Sequence, residues 1–127
     1  MNMSNYLANA VVNATVRNSS YTTPTTAYLA LFLSNPTKDD TGLECSGASY
    51  SREPITMNAP EDGLSRNTND IEFSPATSSW GEITHVGIYD AVTGGNLLYF
   101  TELVTSKAIE PGDIFKIALD NLSLQLQ

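Results

Sequence analysis

The chain has 127 residues, with six Lys and Arg against fourteen Asp and Glu, a net charge of −8 and a pI near 4.3. That length corresponds to one domain, expected to bury roughly 65% of the surface its unfolded form exposes, and that charge repels nucleic acid and anionic membrane, so neither is expected as a partner. The lone Cys45 excludes an intrachain disulfide. No basic segment precedes the first apolar residues, and no apolar run approaches the ~20 residues that span a bilayer, so the chain is expected to be made and used without crossing a membrane by a signal peptide.

Ser4 or Asn5 is placed to cap a helix that runs to about Arg17, with Leu7, Val11 and Ala14 at i, i+4, i+7 and Ala8, Val12 and Thr15 beside them. The apolar stripe is narrow. Asn9 and Asn13, with β-branched Val11, Val12, Thr15 and Val16, are mediocre helix formers, so the helix needs packing to persist. Either its own β-body or a neighbouring subunit can supply that packing. The polar linker NSSYTTPTT, residues 18–26, gives the helix enough chain to swing away. This favours a neighbour, with Tyr6, Leu7, Val11 and Ala14 as the expected partner contacts. The chain is thus expected to divide into a helical arm, 1–17, and a β-sandwich, 27–127.

Ala27–Ser34 is apolar on both alternating faces, Ala27/Leu29/Leu31/Leu33 and Tyr28/Ala30/Phe32, which predicts a central strand covered on both sides. Thr37–Ser49 is polar and contains glycine. It reads as a long loop of the kind that is either functional or poorly ordered. Short strands are expected at Tyr50–Met57 and Asp70–Phe73, separated by the loop Asn58–Thr68. The clearest pattern follows in Glu82–Asp90, where Thr84/Val86/Ile88 alternate with Ile83/His85/Gly87/Tyr89. Leu97–Leu103 is its return strand. The residues between them include Gly94, Gly95 and Asn96, which tolerate the positive φ of a hairpin loop.

Ser106–Ile109 is expected as a separate short strand, ahead of a type II turn at Glu110-Pro-Gly-Asp113. Ile114–Leu119 and the alternating Leu122/Leu124/Leu126 complete about eight strands, which with one short N-terminal helix point to a mainly all-β fold. An antiparallel β-sandwich or jelly-roll-like architecture is expected, with Leu29, Leu31, Phe32, Val86, Ile88, Leu98, Phe115 and Ile117 in the core.

The residues offer little site chemistry. His85 lies mid-strand with no second histidine in the chain, so it reads as a hydrogen-bonded sheet residue rather than a metal ligand or a catalytic base. No Gly-x-Ser-x-Gly elbow supports a Ser-His-Asp arrangement. Asp39/Asp40 and Glu61/Asp62 read as solvated loop acids, and the stretch after Asp39 lacks the ligand spacing of a calcium loop. Trp80 with Tyr50, Tyr89 and Tyr99 has the composition of a sugar-stacking platform, but Trp80 at the head of a core hairpin reads better as a core anchor. The tripeptides Asn13-Ala-Thr15, Asn18-Ser-Ser20 and Asn121-Leu-Ser123, which match the glycosylation pattern, carry no weight without a secretory signal. No catalytic, cofactor or metal site is therefore expected.

Read together, Tyr28-Leu-Ala-Leu-Phe-Leu33, Asn35-Pro36, Glu44-Cys-Ser-Gly-Ala-Ser-Tyr50-Ser-Arg52, Phe73-Ser-Pro-Ala76, Trp80-Gly81, Thr84-His85-Val86-Gly87-Ile88-Tyr89-Asp90 and Gly94-Gly-Asn96-Leu97-Leu98 form an ordered series. In that order the chain resembles a family of small tailed-bacteriophage virion proteins, often labelled phage tail fibre proteins. The resemblance runs through nearly the whole chain, including Ser106-Lys107 and the turn at Gly112, and departs from it at Cys45, where a small or β-branched residue is expected. It implies a non-enzymatic structural protein, made in the host bacterial cytoplasm and located in the virion. Implied partners are other virion proteins, either the major capsid protein or tail proteins, with this chain in many copies or as a homo-oligomer. No catalytic residue or cofactor comes with it. A chain this short, without repeats, has no room for the shaft and tip of a receptor-binding fibre, whereas a capsid decoration or cement protein needs only a compact domain and an adhesive arm. A capsid decoration protein is therefore the first expectation, a tail or tail-fibre component the second, and a glycan-binding or hydrolytic module a distant third.

Overall fold

The structure is a computed structural model that describes residues 1–126. The elements in chain order are β1 (Asn2–Met3), α1 (Asn5–Val16), β2 (Ala27–Phe32), β3 (Glu53–Ile55), β4 (Leu64–Arg66), β5 (Ile71–Glu72), β6 (Gly81–Tyr89), β7 (Leu97–Ile109), β8 (Lys116–Ile117) and β9 (Ser123–Gln125). β1, β7, β6, β2 and β3 form one five-stranded sheet in that spatial order, antiparallel at every pairing. Two short antiparallel ladders, β4 with β9 and β5 with β8, lie outside it. Ile71, Phe73, Phe115 and Leu122 from the ladder side share one buried cluster with Leu29, Leu31, Ile83, Val86 and Ile88 from the sheet. The fold is thus mainly β and sandwich-like, with two separate ladders as its second layer in place of one continuous sheet.

β2 sits inside the sheet with both faces covered, as its doubly apolar pattern predicts. Leu29 and Leu31 point into the main cluster, while Ala30 and Phe32 join Tyr89, Leu97 and Phe100 in a smaller cluster on the other face. Phe32 and Tyr89 stack there, with ring centroids 6.1 Å apart and planes 12° from parallel. Of the expected core, all but Ile117 are buried, and Ile117 packs half-buried at its margin.

The β6/β7 hairpin departs from simple alternation. Ile83 pairs with Lys107 but His85 pairs with Glu102, so Leu103–Ser106 stand opposite Thr84 alone. Such a bulge inserts unpaired residues and flips the side-chain alternation across it. Ile83, assigned by strict alternation to the His85/Gly87/Tyr89 face, lies instead in the main cluster beside Val86 and Ile88, so the alternation of β6 itself breaks at this irregularity. The same bulge unites Leu97–Leu103 with Ser106–Ile109 in one thirteen-residue strand, where two were expected.

Other expected strands are shorter than their apolar patterns: Tyr50–Met57 contracts to β3, Ile114–Leu119 to β8 and Leu122–Leu126 to β9. Trp80 is a core anchor. Its indole N–H donates to Ala48 O at 2.9 Å, and it packs edge-on against Tyr50 at 5.5 Å. Gly47 leaves the space, since a Cβ there would come within 2.2 Å of the indole ring.

Leu31 has no exposed surface and belongs to the central strand. Leu31→Ala is expected to lower the unfolding free energy by about 2–5 kcal/mol in urea titrations. Val104→Ser, at the fully exposed tip of the bulge, is expected to stay within about 0.5 kcal/mol of the parent.

Candidate functional site

α1 begins on well-made contacts. The buried Ser4 caps it, its hydroxyl accepting from Leu7 N–H at 3.1 Å, while Ser4 N–H donates to Leu98 O at 2.9 Å. Asn5 N–H donates to Lys38 O at 2.9 Å and its side-chain amide to Asp39 Oδ1 at 2.7 Å. Leu7 is the one buried helix residue and lies in the main core.

Past this first turn the helix overhangs the β-body. Val11, Val12, Ala14, Thr15 and Val16 are all exposed, Val16 at 76%. Leu7, Val11 and Ala14 form one row at i, i+4, i+7, so this row starts in the core and runs out into solvent. Val12 and Val16 form a second exposed row. Of the expected partner contacts, Tyr6, Val11 and Ala14 are therefore exposed, whereas Leu7 is occupied by its own core. The helix carries no charged side chain between Asn5 and Val16.

A second apolar feature lies on the bulge of β7. Val104 is fully exposed, and the strand borders a groove of about 520 Å³ lined by Met1, Leu103, Lys107, Phe115, Ile117 and Leu122 among others.

The chemistry richest in charge is internal. Arg52 grips Glu44 through two hydrogen bonds, Nε to Oε2 and Nη2 to Oε1, both 2.8 Å. Its remaining Nη1 donates to Ala91 O and Gly94 O, also at 2.8 Å, and its guanidinium lies 3.7 Å over the Tyr89 ring. The Tyr50 hydroxyl donates to Glu44 Oε2 at 2.7 Å and accepts from Leu31 N–H at 3.1 Å. The Tyr89 hydroxyl donates to Asp40 Oδ1. One buried arginine thus ties the 37–49 segment to the hairpin loop 90–96. Planar, bidentate pairing and stacking suit guanidinium and not ammonium. The hairpin loop closes under it with Asn96 N–H on Asp90 Oδ1 at 2.7 Å, and Gly95 takes φ 72°, where a Cβ would strike that carboxylate.

This clamp was not legible as a pair in the sequence. Its faint signal is an arginine embedded in an aromatic, acidic stretch of a chain with only six basic residues. The segment 37–49, expected as a functional or loosely ordered loop, is instead pinned by Asp39, Asp40 and Glu44.

The other candidates are dispersed. His85 is half-buried and shares a 2.8 Å hydrogen bond between Nδ1 and Thr84 Oγ1. Cys45 is buried, and burial pushes its thiol pKa up. Trp80 and Tyr89 are buried and Tyr50 is packed between Trp80 and Phe73, so the four aromatics form no exposed platform. Glu61 and Asp62 stay at an exposed turn. Among the described residues no three His, Cys, Asp or Glu side chains are grouped to hold a metal ion.

The sequence model of a family described as podophage GP4 fiber I protein gp80 matches residues 2–125. The chain belongs to this family. It is therefore a phage fibre-type virion protein, located in the virion and associated with other virion components. No curated protein matches the sequence. Within this fibre protein, Glu44, Tyr50, Arg52, Tyr89 and Gly94 of the clamp all lie in the stretches that carry the resemblance.

Removing Arg52 leaves Glu44, whose side chain is 24% exposed, with the Tyr50 hydroxyl as its remaining partner. Arg52→Ala is expected to cost about 1–3 kcal/mol in chemical denaturation, and Arg52→Lys to recover only a minor part because it restores charge without the fork. A pH effect follows from the phenols. Burial, reinforced by Asp40, raises the Tyr89 pKa, and burial, with Glu44 beside it, raises that of Tyr50. The unfolded chain ionises its tyrosines near pH ~10 while the folded chain still holds these protons, so stability is full below that pH and falls as pH rises above it. Tyr89→Phe is expected to flatten the decline between about pH 10 and 12 in thermal melts.

Proposed function

We propose that this chain is a tail-fibre component that attaches to another virion protein through the overhanging turns of α1. The family match over residues 2–125 supports a fibre role, and it favours the tail over the capsid-decoration role that the short, repeat-free sequence first suggested. The observation that carries the attachment surface is the row Leu7/Val11/Ala14, anchored in the core at one end and exposed at the other. Tyr6, Val11 and Ala14, joined by Val12 and Val16, supply the contact. A helix of twelve residues with four β-branched positions is marginal by itself, so a surface that covers its outer turns stabilises both the helix and the attachment. This is recognition by an amphipathic helix laid in a groove.

Quantitative mass spectrometry of purified virions tests the location. A tail-fibre component is expected at a small fraction of the major capsid protein, and near-equimolar amounts would return the chain to the capsid surface. The attachment surface is tested by Val12→Asp with Val16→Asp. Both sites are exposed, so the purified variant is expected to keep its denaturation midpoint while its incorporation into particles drops at least tenfold. Full incorporation would exclude these two valines from the contact.

A further inference from the structure

We propose that the groove beside the β7 bulge is a binding site for a single-chain amphipathic anion, an apolar chain that ends in a carboxylate or a comparable head group. The groove holds about 520 Å³, within the roughly 300–1,000 Å³ of small-molecule sites. The bulge forms one of its walls. Leu103–Ser106 have no register partner in β6, and β1 covers β7 only at Tyr99 and Phe100, so this part of β7 is flanked by no strand in register, and Val104 is fully exposed.

The two ends of the groove differ in chemistry. Met1 lines one end, next to the Asn2–Phe100 pair, and Leu103, Ile117 and Leu122 continue the apolar lining. Lys107, past the bulge, lines the other, its ammonium 6.0 Å from the centre of the Phe115 ring. A cation held over an aromatic face at the end of an apolar trough is complementary to an anionic head whose chain lies along that trough.

Lys107 also has its charge to offer. Acidic residues outnumber basic ones fourteen to six in this chain, yet Lys107 makes no ion pair among the described residues, whereas Lys116, which also lines the groove, is engaged by Asp70 at 3.2 Å. Glu102, the acid that borders the groove, stands opposite His85 on the other side of the bulge from Lys107. The occupant is a free amphiphile and not a bilayer, because a net charge of −8 opposes approach to an anionic membrane surface.

This site shares no residue with α1 and does not rest on the attachment reading. Isothermal titration with sodium decanoate below its micelle concentration tests it, with decanol and decyltrimethylammonium as the uncharged and cationic counterparts. Saturable binding of decanoate is expected, at least tenfold tighter than either counterpart, with amide NMR shifts centred on 101–107 and 115–123. Lys107 is exposed, so its variants are expected to keep the denaturation midpoint. Lys107→Gln is expected to remove the preference for decanoate over decanol and Lys107→Arg to keep it, while Lys38→Gln, outside the groove, leaves it unchanged. Equal binding of the three amphiphiles, a preference that survives Lys107→Gln, or NMR shifts centred elsewhere overturns the proposal. So does decanoate that fails to saturate, or recruitment of the chain to phosphatidylglycerol vesicles without binding of free decanoate.

Discussion

The paired carboxylate and guanidinium of Glu44 and Arg52 constrain more of this structure than any other contact. A charge taken out of water must recover its lost hydration through partners. Arg52 does so with two bonds to Glu44, two to the carbonyls of Ala91 and Gly94, and the Tyr89 ring beneath its plane. Because those partners come from two distant segments, satisfying one side chain fixes the 37–49 segment, the hairpin loop and the end of β6 relative to one another. Tyr50 then carries the constraint to the Leu31 backbone and Tyr89 carries it to Asp40. From Asp39 the adjoining segment reaches the helix cap at Asn5. The geometry of the N-terminal helix is in this way linked to the ion pair of the buried Arg52 with Glu44.

How much of this could be read beforehand follows from the range of each interaction. The N-terminal helix and its cap are local, and the sequence offered Ser4 or Asn5 as the cap, of which the structure uses Ser4. The two-faced burial of β2 was also visible, since seven consecutive side chains without a charge need cover on both sides. Alternation failed at Ile83, where the β6/β7 pairing is irregular with Leu103–Ser106 opposite Thr84, and the apolar pattern of β6 does not record that irregularity. β8 and β9 fell short of their apolar runs for a related reason: side-chain burial of Phe115 and Leu122 does not require ladder pairing around them. The clamp lay in plain sight as residue types, but its pairing depends on tertiary placement. The partner-contact residues were legible as a stripe; that Leu7 is occupied internally while Val11 and Ala14 overhang is a matter of where the β-body ends.

The same division bears on function. A fibre-type virion protein needs a body that does not deform and a surface that joins neighbours. The clamp, the Trp80 anchor over Gly47 and the double-faced core supply the first. The uncharged, half-seated helix is the surface proposed for the second.

Amide hydrogen exchange on Glu44→Gln tests most directly whether one ion pair holds two remote segments as a unit. The substitution keeps the shape of the side chain and removes its charge. If the clamp organises the structure as described, amides in 37–46 and in 90–96 lose protection together while those of Val86 to Ile88 in the sheet keep theirs. Loosening confined to the residues beside position 44, with the hairpin loop as protected as before, would contradict it.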